Sequence, residues 1–289
     1  MPDNDSSEPA VVRTLREYRE LLISREDAQL QRLAQQWYGI EQRLQPEMQL
    51  LALTLDKERA KGSIITEQLI AKQESYQRLN AQVKEQVLAY SKGPAVADIS
   101  AEQLEFAKLG LSSSQAAIKG SYPIGFGAQF NNLPVDAMED MMGYLGDGTP
   151  LKRLLVEAYP DSIDGIVNGL LDGMARGISP EKTAYQMAKG MGLGLERITL
   201  IARTEQIRTW RTSTERQYQR SGVVLGSKRL AARTACMACL VADGEFIPLG
   251  KSVADHPRGR CTSVPIVRGA PELQWKTGKE WFEEQPEEL

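Results

Sequence analysis

Cys236, Cys239, His256 and Cys261 are the only three cysteines and the only histidine in the chain, and all four fall between positions 236 and 261. Their spacing, C-x2-C-x16-H-x4-C, offers three soft thiolates and one imidazole, a donor set that suits tetrahedral zinc. With four protein ligands such a site is closed and leaves no position for water, so the expected zinc is structural, no catalytic residue is assigned and the protein is expected not to be an enzyme. Two other readings stay open. One is a reduced Cys236/Cys239 pair buried in a small core beside an ordinary hydrogen-bonded histidine. The other is a redox dithiol, a reading that a preceding strand and a helix opening at the pair would strengthen.

Other chemistry has less support. One histidine excludes centres built from several, and neither G-x-S-x-G nor H-E-x-x-H occurs. The glycines of Tyr122-Pro123-Ile124-Gly125-Phe126-Gly127 match neither dinucleotide nor P-loop spacing. Asp243 and Glu245 follow Cys239 closely enough for acid/base work, but a solvated Asp243-Gly244 turn accounts for them equally well. Asp255 either orients the ring of His256 or ends the preceding loop.

The elements that must position these groups are mostly helical. With 289 residues, 42% of them hydrophobic, the chain can bury a substantial core. Residues 11–90 are rich in Leu, Gln, Glu, Arg and Ala, and two apolar series recur at helical spacing: Leu30, Leu33, Trp37 and Ile40, then Leu69, Tyr76, Leu79, Val83 and Val87. Pro46 is expected to interrupt the first helix and Gly62-Ser63 to end the second, before a helix over about 65–90. Helices are also expected near 135–145, 150–158, 162–176, 180–190 and 195–220, with Ser179 as N-cap and Pro180 in the first turn. Gly165, Gly169, Gly173 and Gly177 would allow close backbone approach. The fold class is therefore mainly α, with a small loop-rich zinc-binding module at its C-terminal end. The chain divides into an N-terminal helical region (1–90), a linker or partly extended region (91–133), a helical core (134–232), the Cys3His module (233–267) and an acidic tail (268–289).

Charge is uneven. The whole chain carries a formal −3, yet residues 203–233 hold eight basic residues, including Arg203, Arg208, Arg211, Arg216 and Arg229, against Glu205 and Glu215, a local +6. Such a segment suits DNA phosphate, an acidic protein surface or solvent. Trp210 and Tyr218 within it are expected to pack rather than to stack on bases. Glu205 is spaced to pair with Arg208 one helical turn on. An odd cysteine count, no leader pattern and no long apolar run argue against a secreted or membrane-spanning protein.

Four segments in order, Ile201-Ala202-Arg203-Thr204-Glu205, Arg233-Thr234-Ala235-Cys236-Met237-Ala238-Cys239, Asp243-Gly244 and His256-Pro257-Arg258-Gly259-Arg260-Cys261, resemble the phage head morphogenesis family, the Mu F-like minor head proteins of tailed bacteriophages. The resemblance covers roughly 160–267, and it departs at Gly259, where the family usually carries the first of two close cysteines; Cys261 matches the second. It implies a virion component, assembled in the host cytoplasm, that meets the portal protein and the major capsid or scaffolding protein. Its implied role is head assembly, DNA packaging or delivery, with non-specific DNA contact through the basic segment. The alternative is a zinc-containing nucleic-acid-processing enzyme, which a second carboxylate cluster beside an open metal position would favour and four inward-pointing side chains at Cys236, Cys239, His256 and Cys261 would count against.

Overall fold

The computed structural model describes residues 8–123, 130–132, 134, 151, 155, 180–232, 234–251, 253, 256 and 259–284, with side chains left aside over 180–193. The protein is mainly α-helical, with a small C-terminal region that carries strands and a cluster of metal-ligating side chains. Its contacts divide it into two compact units, one formed by Ala28–Ser100 and Leu145–Ala202, the other by Met1–Asp27, Ala101–Tyr144 and Arg203–Leu289.

In the first unit, α1 (Ala10–Ala60) contributes Leu33, Trp37, Ile40, Leu44, Met48, Leu51 and Leu55, all buried and three or four residues apart. They join α2 (Glu67–Ala71) and Tyr76, Leu79, Val83, Val87 and Tyr90 of α3 (Glu74–Lys92) in one apolar cluster. Each fully buried aliphatic side chain is worth about 1.5–3 kcal/mol, so this stripe is the main source of the unit's stability. Trp37 and Tyr90 meet edge to face with centroids 5.5 Å apart, and the Tyr90 hydroxyl donates to the Leu33 carbonyl. Both expected apolar series are therefore core. Pro46 does not interrupt α1 as expected: it sits on the exposed face, where water can satisfy the carbonyl it deprives, while Leu44 and Met48 hold the buried face in register. The expected stop at Gly62 is present as a Schellman cap, with Gly62 at φ 83° and the N–H groups of Gly62 and Ser63 donating to the carbonyls of Arg59 and Glu58.

Residues 94–121, expected within a linker or partly extended stretch, form helix α4 (Pro94–Ser121). Proline in the first turn costs nothing there, because its missing N–H has no helical partner to lose. The serines that read as breakers bond back into the helix, Ser113 to the Gly110 carbonyl and Ser114 to that of Leu111. The two helices expected over 180–190 and 195–220 are one, α5 (Pro180–Ser221). The other expected helices of 135–176, the glycine repeat and Ser179 lie outside the described residues, apart from Leu151 and Leu155, which are helical and buried.

The second unit packs Ala101–Ser121 of α4 against α5. A Cβ added to Gly110 would stand 2.5 Å from the Trp210 carbonyl, so only glycine permits this approach. Trp210 is fully buried and its indole N–H donates to Ser113 Oγ, as expected of a packing residue. Three antiparallel strands follow in the order β2-β1-β3: β1 (Val224–Leu230), β2 (Phe246–Pro248) and β3 (Thr262–Val267). This sheet was not expected. Between β1 and β2 lies α6 (Met237–Val241), and within the acidic tail α7 (Gly278–Glu283) forms, opened by a capping box between Thr277 and Glu280.

Candidate metal centre

β1 delivers the chain to Ala231, and the short connection after it ends at Cys236, the N-cap of α6. One helical turn on, Cys239 points into a small buried cluster with Ala231, Leu240 and Cys261. The Asp243-Gly244 turn fixes this arrangement. Asp243 is buried, its two oxygens accepting from the N–H groups of Ala231 (2.8 Å) and Gly278 (2.9 Å), so it is neither a solvated turn residue nor an exposed acid/base group. Burial raises its carboxyl above the ordinary value, against the pull of those two N–H groups. Gly244, at φ 83°, returns its N–H to the Arg229 carbonyl.

Cys236 Sγ, Cys239 Sγ and a ring nitrogen of His256 lie within 4.8 Å of one another, the group of metal-ligating atoms found among the described residues. Cys236 Sγ and His256 Nε2 are 3.4 Å apart. Zinc bonds of about 2.3 Å to sulfur and about 2.0 Å to nitrogen, set at the tetrahedral angle, separate such a pair by about 3.5 Å, so the donors fit a metal of this kind. The Cys236 thiol is drawn below its ordinary value, first by the Cys239 backbone N–H and then by the Cys239 side chain, with His256 adding to the effect. A metal ligates the thiolate, the form that this shift favours.

Cys261 is buried and lines the same cleft, of about 270 Å³, but its sulfur is not one of the three grouped atoms. Cys236 and His256 are exposed there. The exclusion of enzymatic activity rested on four protein ligands closing the site. Three grouped ligands, two of them open to solvent, overturn it: the cluster is capable of holding a metal with a position left for another ligand. Asp255, the expected partner of His256, lies outside the described residues, as do Arg233, Pro257 and Arg258.

The buried side of the site is basic. Arg229 donates from Nη2 to Cys239 Sγ at 3.2 Å, and although burial opposes its charge, Cys261 and Cys239 hold it above its ordinary value. Arg19, almost fully buried, is pulled down to about 10, chiefly by burial and then by Arg16, with Cys261 among the groups that oppose the shift. Both Arg16 and Arg19 donate to the Ala231 carbonyl. Arg211 of α5 grips the loop before β3, donating to the carbonyls of Gly259 (3.2 Å) and Cys261 (2.6 and 2.9 Å). Glu205 is buried and pairs with Arg208, the expected one-turn partner, while accepting from Gln103.

Much of the +6 segment is thus engaged internally: Arg208 with Glu205, Arg211 with the loop, Lys228 with Glu272 and Arg229 with a thiol. Arg16, Arg19 and Glu26 carry no sequence signal, because α1 presents them within a long run of charged helix. Arg229 and Arg211 were visible only as members of a charge count. No family model, no curated protein and no solved structure matches the chain. The likeness to the head morphogenesis family therefore stands on its four quoted segments.

Proposed function

We propose that the protein is a zinc-containing nucleic-acid-processing enzyme whose metal is held by Cys236, Cys239 and His256. The observation that carries this reading is the three-ligand cluster in an open cleft, the arrangement of a catalytic rather than a closed zinc site. Zinc bound there supplies Lewis-acid polarisation and a bound water of lowered pKa. The chain's own residues do the rest. Cys236 and Cys239 bind as thiolates, Arg229 orients the Cys239 sulfur, and Arg211 holds the loop that carries Cys261. Arg203, the member of the basic segment that lines the cleft, supports a phosphate-bearing substrate such as nucleic acid.

A second reading, a minor head protein of a tailed bacteriophage that meets portal and capsid protein, is supported by a different observation. The segments carrying the family resemblance converge: Arg203, Cys236, Cys239, His256, Gly259 and Cys261 line one cleft, and Asp243 braces it. Distant pieces of sequence that fold into one site behave as a single functional unit.

Cys261 separates the two. In the open site, Cys261→Ala keeps one zinc per chain, and the metal-loaded protein cleaves or modifies DNA in a reaction that Cys236→Ala abolishes. In a closed structural site, Cys261→Ala loses the metal and no turnover occurs. Co-purification with the portal protein, with and without residues 1–90, tests the head-protein reading independently; no retention of either form counts against it.

A further inference from the structure

The cleft that holds the metal ligands is also lined by two arginines from different elements, Arg203 of α5 and Arg260 of the loop before β3. A single carboxylate holds them side by side: Glu26 Oε1 stands 2.5 Å from Arg203 Nε and 2.9 Å from Arg260 Nη2. Glu26 is 4% exposed, whereas the arginines are 28% and 26% exposed, so the carboxylate is the buried anchor and the guanidinium groups reach the solvent-filled cleft.

Two cations share one carboxylate oxygen, which among the described residues leaves one positive charge in excess. Asp27 lies 4.0 Å from Arg203 Nη2 and is 58% exposed, where solvent screens it. Each guanidinium has five N–H donors in a planar fork; Glu26 accepts one from Arg260 Nη2 and faces Arg203 Nε as an ion-pair contact, a nitrogen with no hydrogen-bond partner among the described residues. Both arginines line the same cleft as Cys236 and His256. Forked donors in a fixed pair match the oxygens of a tetrahedral oxyanion, and a phosphoryl group presents enough of them for two arginines at once.

We propose that Arg203 and Arg260, clamped together by buried Glu26, form a phosphoryl-binding site at the metal cleft, so that the ligand of this cleft is a phosphate ester. The proposal rests on reading the cleft as a metal-centred site for nucleic acid, and it gives Arg203, within one of the four resembling segments, a role in binding. The arginine pair does not need the metal to be held in place, since its anchor is Glu26.

The test titrates the full-length protein with inorganic phosphate, with acetate and with the oligonucleotide (dT)8, measuring zinc on the same samples. Phosphate is expected to bind and acetate not to. Arg203→Gln and Arg260→Gln should each weaken phosphate binding about tenfold or more with unchanged zinc content, while Lys84→Gln, exposed on α3, should change nothing. If Arg203→Gln fails to fold, Arg260→Gln and Arg203→Lys, which keeps the charge but loses the fork, carry the same expectation. Competition by (dT)8 identifies nucleic acid as the source; phosphate binding without it identifies a small phosphate ester. Equal binding of acetate, no phosphate binding by metal-loaded protein, or Gln variants that bind like the wild type would overturn the site. A protein that binds phosphate but takes up no zinc when it is supplied sinks the metal reading and leaves this one standing.

Discussion

The two units of this protein are held together by different physics. In the unit of Ala28–Ser100 and Leu145–Ala202, one apolar cluster runs from Leu33 to Ala202, and its members recur at helical spacing. In the unit that contains Arg203–Leu289, the buried apolar residues among those described are split among four small clusters. Polar groups join them there: Arg211 on two carbonyls, Asp243 on two N–H groups, Tyr218 on the Ser263 carbonyl and Arg229 on a thiol. Dispersed apolar burial tolerates the loss of any one contact in proportion to its area. A site stitched by a few charged or metal-ligating groups concentrates its stability in them, because each lost partner strands another buried polar group.

The largest break of this contrast is removal of the metal ligands. Cys239→Ala, or chelation of the wild type, should abolish metal binding and strip amide-exchange protection from β1 and β3 while leaving that of Leu79, Val83 and Val87 in α3 unchanged. Equal loss in both places, or none in the strands, would break the comparison.

That asymmetry also explains what could be read before the structure. The stripe from Leu33 to Val87 was legible because period and apolarity coincide. The donor set at 236–261 was legible because cysteine and histidine occur nowhere else. Helix α4 was not, since Gly93-Pro94 and Ser112-Ser113-Ser114 are local breakers, and the polarity of Ser113 and Ser114 is absorbed by back-bonding and by the Trp210 indole. The sheet was missed because β1 lies within a basic run, where Arg229 and Lys228 masked the alternation of a strand buried on most of its length. Glu26 has no local signature at all: only the fold brings it to Arg203 and Arg260.

The apolar unit gives the next largest effect. Leu33→Ala or Leu79→Ala should cost about 2–5 kcal/mol by denaturant unfolding, through lost burial and the cavity left behind, with metal content unchanged. A smaller effect, about 1.5–3 kcal/mol, is expected for Arg211→Met, which removes a charged donor from the Gly259 and Cys261 carbonyls. Unlike the leucine variants it should also weaken metal retention, because the loop it releases follows His256. Metal held as tightly as in the wild type would mean that the loop keeps its shape without Arg211.

Asp243 gives the smallest and most specific contrast, and its sign follows from burial. Its folded carboxyl is raised above the ordinary value, so the folded state takes up a proton before the unfolded chain does as pH falls. The associated stabilisation is present in full below the unfolded carboxylate value and is lost as pH rises through the folded one. Asp243→Asn cannot titrate, and its amide also sets a donor against the N–H of Ala231 or Gly278. The variant should therefore be less stable than the wild type near neutrality, and the gap should widen on acidification towards pH 4. Unfolding midpoints of both proteins across that range measure it; a gap that narrows instead would show that the two backbone N–H groups outweigh burial and stabilise the charged carboxylate. Because Asp243 joins Ala231, at the end of β1, to Gly278 of α7, the same titration should alter exchange at Gly278 and leave the α3 stripe unmoved.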